Sequence, residues 1–149
     1  MDDKLKKMLS RVDHTLLGQA ATESDFRALC DEAAQYKVAS VCVPPARVEF
    51  CVDYLEGRIP VCTVVGFPNG YMLGSVKAYE SAQAISQGAE EIDMVINIGY
   101  VKDGDYNGVL SDIDAVRKST DGRLLKVIIE TSMLTEEEKI KMRNERVGS

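Results

Sequence analysis

The residues best suited to chemistry are one carboxylate and one amine, each set in the middle of an apolar run. Asp93 stands in Glu91-Ile92-Asp93-Met94-Val95 and Lys126 in Leu124-Leu125-Lys126-Val127-Ile128. Strand alternation puts Glu91, Asp93, Val95 and Asn97 on one face and Ile92, Met94 and Ile96 on the other. In the second run, Lys126 and Glu130 share a face with Leu124 and Ile128. An unpaired charge is costly to bury in mid-strand, so opposite charges on successive strands imply that the two pair. A buried pair of this type is also one way in which proteins prepare a group for proton transfer. The simpler alternative is an ion pair that only fixes the register of its strands. Glu91 and Glu130 belong to the same polar cluster or mark the strand ends.

Other candidates are weaker. Asp13 and Thr15 share one face of a first strand, where Asp13 either lines a site or caps a turn. His14 points the other way, toward packing helices, and reads as structural. Gly66-Phe67-Pro68-Asn69-Gly70 lies between a strand and a helix, the place of a phosphate loop. Neither GxGxxG nor GxxxxGK[ST] occurs, however, so nucleotide binding has no motif behind it. Asp103, Asp105, Asn107, Gly108 and Asp114 nearly reproduce a calcium loop, with a short Asp in place of the final Glu. The preceding Met94–Val101 segment reads as strand and loop, whereas an EF-hand needs an incoming helix, so these residues are expected to lead into a capped helix instead. Cys30, Cys42, Cys51 and Cys62 form no CxxC pair, and His14 is the single histidine. No metal site is therefore expected, and the thiols read as reduced, buried and apolar in character.

Five β-rich runs position these residues: 12–17, 39–44, 61–67, 91–98 and 124–131. Between them lie helical patterns. Phe26, Leu29, Cys30 and Ala33 follow Thr22, which forms a capping box with Asp25. Val48, Cys51, Val52 and Leu55 mark a short helix after Pro44-Pro45. A third helix, over about 75–87, carries Ala78, Ala82 and Ala84, expected to pack on a sheet, and Gly88 closes it. A fourth buries Val109, Leu110, Ile113 and Val116. A fifth opens at Thr135 with Glu138 at the capping-box position and acids in its first turn. Strand–helix alternation at a period of about 28 residues implies βα units and a parallel sheet. The runs at 61–67 and 124–130 are nearly continuous in apolar residues, as expected when helices cover both faces.

The chain has 149 residues, 18 Lys+Arg against 24 Asp+Glu and a net charge of −6, with 45% apolar residues. That composition describes one globular domain. It lacks the basic stripe of a nucleic-acid binder, and no apolar run reaches the ~20 residues of a membrane span. The opening residues lack the apolar core of a secretory signal, which points to the cytoplasm. Length alone favours a five-strand doubly wound α/β sheet of flavodoxin type, since a (β/α)8 barrel needs about 250 residues. Charges in mid-strand favour the barrel, whose inward face opens onto an active site.

Five ordered motifs narrow the choice. They are Val12-Asp13-His14-Thr15-Leu16-Leu17, Ser40-Val41-Cys42-Val43-Pro44, Thr63-Val64-Val65-Gly66-Phe67-Pro68-Asn69-Gly70, Gly88-Ala89-Glu90-Glu91-Ile92-Asp93-Met94-Val95 and Leu125-Lys126-Val127-Ile128-Ile129-Glu130-Thr131. Together, over residues 8–142, they closely resemble deoxyribose-phosphate aldolase. The resemblance implies a (β/α)8 TIM barrel that cleaves 2-deoxyribose 5-phosphate to glyceraldehyde 3-phosphate and acetaldehyde. It further implies a lysine Schiff base, no metal or other cofactor, a small phosphorylated sugar as partner and a homo-oligomer. In that scheme Asp93 is the proton-relay aspartate and Lys126 supports it. Asp13, Thr15, Cys42 and Glu130 line the site.

The family's Schiff-base segment resembles Gly-Ala-Asp-Phe-Ile-Lys-Thr-Ser-Thr-Gly, and a second lysine lies in a Phe-Lys-Pro-Ala-Gly-Gly segment. Neither occurs in these 149 residues, and residues 143–149 match nothing in the family's pattern. The expectation is a truncated, partial barrel of about five βα units in one domain, inactive by itself. Two alternatives stand beside it: a non-catalytic flavodoxin-like binding module, and a half-barrel that self-associates to cover its strand edges.

Overall fold

A computed structural model describes residues 2–144. Of the unmatched tail at 143–149, residues 145–149 lie outside the described residues. The elements alternate along the chain as α1 (Asp3–Leu9), β1 (Asp13–Thr15), α2 (Glu23–Tyr36), β2 (Ser40–Val43), α3 (Val48–Leu55), β3 (Val61–Val65), α4 (Gly74–Ser86), β4 (Glu91–Val95), α5 (Ile98–Lys102), α6 (Tyr106–Ser119), β5 (Leu124–Ile128) and α7 (Glu136–Asn144). Short 3₁₀ turns at Pro45–Arg47 and Thr131–Met133 lead out of β2 and β5. The strand order is β1-β2-β3-β4-β5. A flavodoxin-type sheet would place β2 at the edge and β1 inside it. The sequential order, with at least one helix in every connection, is that of a (β/α) barrel and removes the doubly wound alternative.

The described residues divide into two compact units, one running to Val64 and including Ala84–Ile92, the other comprising Val65–Gln83 and the residues from Asp93 on. In the first, β1 pairs in parallel with β2 and β2 with β3, in a register that sets Asp13 opposite Ser40 and Cys42 opposite Cys62. The Glu90 amide, just ahead of β4, donates to the Val61 carbonyl at 2.9 Å. Both β2 and β3 are buried along their whole length, as continuous apolar runs require. The capping box at Thr22 forms as expected: the Thr22 amide donates to Asp25 Oδ2 at 2.7 Å, which holds the Asp25 carboxyl below its usual range. Phe26, Leu29, Cys30 and Ala33 are the buried face of α2. All four thiols are free and buried. The Cys51 thiol is pushed up by its hydrogen bond with Cys30 and by burial, which keeps it protonated and inert.

In the second unit the Ile96 amide, just beyond β4, donates to the Ile128 carbonyl at the end of β5 at 3.2 Å. Three expectations need correction here. The apolar run at 124–130 is not covered on both faces: β5 is exposed at Leu124 and half-buried along the rest, because it is the edge strand of the described sheet. The segment after β4 is not a loop, since Asn97 caps the short helix α5. An incoming helix therefore does precede Asp103. The carboxylates of Asp103, Asp105 and Asp114 nevertheless do not converge to metal-ligating distance, and Asp105 instead accepts from the Gly108 amide as the cap of α6. Finally, α4 packs through only part of its alanine pattern, Ala84 being buried and Ala78 half-buried. Its fully buried positions are Lys77, Ser81 and Ala84, while Ala82 is exposed. Among the described residues no helix is long and apolar enough to cross a membrane.

The capping box of α7 also forms. The Thr135 amide donates to Glu138 Oε2 at 2.8 Å and the Glu138 amide to Thr135 Oγ1 at 3.2 Å. Lys102 Nζ donates to the same carboxylate at 2.8 Å, and these bonds, with Lys102 foremost, hold the Glu138 carboxyl below its usual range. A depressed folded value means that this contact stabilises α7 above the ordinary carboxylate range and ceases to do so as pH falls through the lower folded value. Removing the lysine in Lys102→Ala is expected to raise the Glu138 titration midpoint, followed by carboxyl-carbon NMR, toward the ordinary range. An unchanged midpoint would show that Lys102 is not the cause.

Candidate active site

Asp93 and Lys126 meet as their strands predict. Asp93 lies at the middle of β4 and Lys126 at the middle of β5. Lys126 Nζ is 3.1 Å from Asp93 Oδ1, with the two side chains 33% and 16% exposed. The approach is an ion pair rather than a hydrogen bond: Oδ1 is buried and receives no donor in hydrogen-bonding geometry. The Coulomb attraction does not depend on that angle, so the two charges still offset one another. The contact therefore sets a carboxylate and an amine side by side at the centres of two neighbouring strands.

The remaining candidates divide by position. In the first unit, Asp13 Oδ1 accepts from Ser40 Oγ at 2.7 Å across the β1–β2 pair, and Ser40 is fully buried. Thr15 is exposed and donates to the Asp13 carbonyl at 2.8 Å. Cys42 is buried with Cys62 and Val64, with Leu17 packed against them. His14 faces α2 and pairs with Glu32 at 2.9 Å, which fits a structural role. In the second unit, Glu130 is exposed just beyond β5, in a left-handed conformation that opens the Thr131–Met133 turn. Glu91 opens β4 and is half-buried. These two acids mark strand ends.

One polar pair escaped the sequence. Lys77 on α4, fully buried, donates to Asp112 Oδ2 on α6 at 3.0 Å. A signal for it was present: Asp112 falls within the Val109, Ile113 and Val116 stripe, and Lys77 shares a helix face with Ser81 and Ala84.

Sequential parallel βα units, with a mid-strand carboxylate and amine set against each other, have the architecture of the (β/α)-barrel class. A family model described as DeoC/LacD family aldolase matches residues 7–148. The chain belongs to the DeoC/LacD family of aldolases. It is 47% identical over 138 residues to a deoxyribose-phosphate aldolase of Clostridioides difficile, a match that covers 93% of this chain and 63% of that protein. A solved structure from Coccidioides immitis, provisionally described as a deoxyribose-phosphate aldolase, superposes with a TM-score of 0.89 at 40% identity, over 91% of this chain and 54% of that one. The deoxyribose phosphate aldolase of Aeropyrum pernix, described as having a unique tetrameric structure, gives a TM-score of 0.74 at 27% identity, over 89% and 56% of the two chains. The chain thus spans a little under two thirds of the length of the curated relative it matches.

Removing the Ser40 hydroxyl leaves a partly buried carboxylate short of one donor, and a hydrogen bond to a charged group contributes about 1.5–3 kcal/mol. Ser40→Ala is expected to lower stability by roughly 1–3 kcal/mol in urea unfolding. No change would remove Ser40 as the support of Asp13.

Proposed function

We propose that this chain supplies the proton-handling half of a deoxyribose-phosphate aldolase, acting on 2-deoxyribose 5-phosphate in the cytoplasm as part of a homo-oligomer. The single observation that carries this reading is the Asp93–Lys126 pair, at 3.1 Å on neighbouring strands of an aldolase-family chain. In such a reaction a lysine amine adds to the aldehyde and loses water, and the resulting iminium draws electrons from the breaking carbon–carbon bond. Asp93 relays the protons, Lys126 fixes its charge and orientation, and Asp13, Thr15, Cys42 and Glu130 line the substrate's path. The chemistry needs no metal or other cofactor. The chain forms one partial-barrel domain, and these 149 residues hold no counterpart of the Schiff-base lysine segment, so they do not turn over substrate unaided.

The test is to join the full chain to the part of the Clostridioides difficile relative that lies beyond the match. The fusion is expected to cleave 2-deoxyribose 5-phosphate, with borohydride trapping an adduct on the lysine supplied by the relative. Asp93→Asn should lower kcat by about 10²–10⁴-fold, the range of a general acid–base group. A folded fusion indifferent to Asp93→Asn would overturn the role of Asp93. Robust cleavage by the chain alone, trapped at Lys126, would overturn the assignment of Lys126 as a countercharge.

Self-association is a second property, favoured by the half-buried edge strand β5 with Leu124 53% exposed. An open edge with apolar neighbours is a template for another chain. Light scattering on the 149-residue protein is expected to give at least a dimer mass, and a strictly monomeric mass at all concentrations would contradict it.

A further inference from the structure

The geometry points to the buried Lys77–Asp112 pair as a positioning device that seats the β3–α4 segment, residues 66–73, against the carboxyl end of β4, next to Asp93. The role of Asp93 rests on the reading above; the seating does not, and it is measured without turnover. The pair is enclosed on two sides by backbone. The Lys77 stem runs beneath Gly66, where an added Cβ would lie 3.0 Å from Lys77 Cε and 3.1 Å from Lys77 Cγ. On the far side, Gly74 at the start of α4 closes on Asp112 Oδ1 so tightly that no side chain fits between them. The same segment is tied from above, because the Gly66 amide donates to Glu80 Oε2 at 2.9 Å and the Gly70 amide to the Gly66 carbonyl at 2.7 Å. Gly70 in turn presses on the Ile96 carbonyl and on Val95, at the end of the strand that carries Asp93.

A continuous set of contacts thus runs from Asp112 through Lys77 and Gly66 to Gly70 and the end of β4. The glycine links leave no room for a side chain, so the lysine stem and the turn approach each other directly. A buried ion pair is poor evidence for stability as such, since well-packed apolar replacements are often neutral or better. What such replacements do not reproduce is direction. A methionine at position 77 fills volume but has nothing to aim at Asp112, and the turn above it loses the support that fixes its height over β4. Lys77 and Asp112 are therefore positioning residues that act through the 66–73 turn.

The experiment compares Lys77→Met, Asp112→Leu and the double variant K77M/D112L in the full chain, reading thermal stability, amide hydrogen exchange and the Asp93 carboxyl-carbon NMR resonance. Each single change strands one charge and is expected to lower Tm. The double variant is expected to recover most of that loss while its Gly66 and Gly70 amides exchange at least about tenfold faster than in the unchanged protein. The Asp93 resonance should shift in parallel. A double variant of recovered Tm with unaltered exchange and an unaltered Asp93 resonance would overturn the proposal, leaving the pair as core filling. Should the double variant not fold, Asp112→Asn decides: it keeps the shape beside Gly74 while removing the charge that aims the lysine. Faster Gly70 exchange with a shifted Asp93 resonance supports the seating, and no change in either overturns it. Because none of these readouts involves the sugar phosphate, failure of the aldolase reading would leave them intact.

Discussion

A charge in the middle of a sheet strand is tolerated only where an opposite charge reaches it, and this constraint organises the candidate site. β4 and β5 are both built of residues that want to leave water, yet each carries one ionisable side chain at its centre. Pairing Asp93 with Lys126 at 3.1 Å meets the desolvation cost of both. For that to happen the two strands must be neighbours, in a register that brings the two central side chains together. Sequential strand order provides the adjacency, and the backbone bond from Ile96 to Ile128 ties the strand ends.

The ion pair also limits what each partner can do. On the reading proposed above, Lys126 is a source of field and direction rather than a nucleophile. Asp93 keeps a buried oxygen that no donor in hydrogen-bonding geometry occupies. That combination suits a group that passes protons to and from a reacting carbon, and it is poorly suited to forming a covalent bond with substrate. On that same reading, the two residues belong to the acid–base part of an aldol reaction, and the amine that forms the Schiff base is a different one. The second buried pair, Lys77–Asp112, obeys the same electrostatic rule on the helical layer. The turn it supports reaches the end of β4 through contacts of glycine backbone.

Much of the fold was legible because its signals are local. The capping boxes at Thr22 and Thr135 form from residues three apart, and the apolar stripes of α2 and α3 identify their buried faces. The Asp93–Lys126 pair was legible because alternation gives the face and βα repetition gives the neighbour. What escaped depended on partners distant in sequence. Lys77 reads as an ordinary exposed helix lysine until Asp112, 35 positions away, is known to face it. Alanines suggested the packing face of α4, but small residues are tolerated on either side of a helix, and burial went to the face with the ion-pair lysine. The short helix α5 was hidden by continuity with β4, since Ile-Gly-Tyr-Val carries strand propensity and only the Asn97 cap turns it helical. The coverage of β5 was misjudged because an apolar run records what a strand can bury, not whether a neighbour is there to bury it.

The most direct measurement of the account is a double-mutant cycle between Asp93 and Lys126, using Asp93→Asn, Lys126→Met and the two combined, with stability read by denaturant unfolding. If the pair is the interaction that fixes β4 against β5, the cycle yields a favourable coupling of about 1–3 kcal/mol, as for residues in direct contact. Additive effects, with a coupling within about 0.5 kcal/mol of zero, would mean that the two charges are neighbours without being partners, and would contradict the site as described.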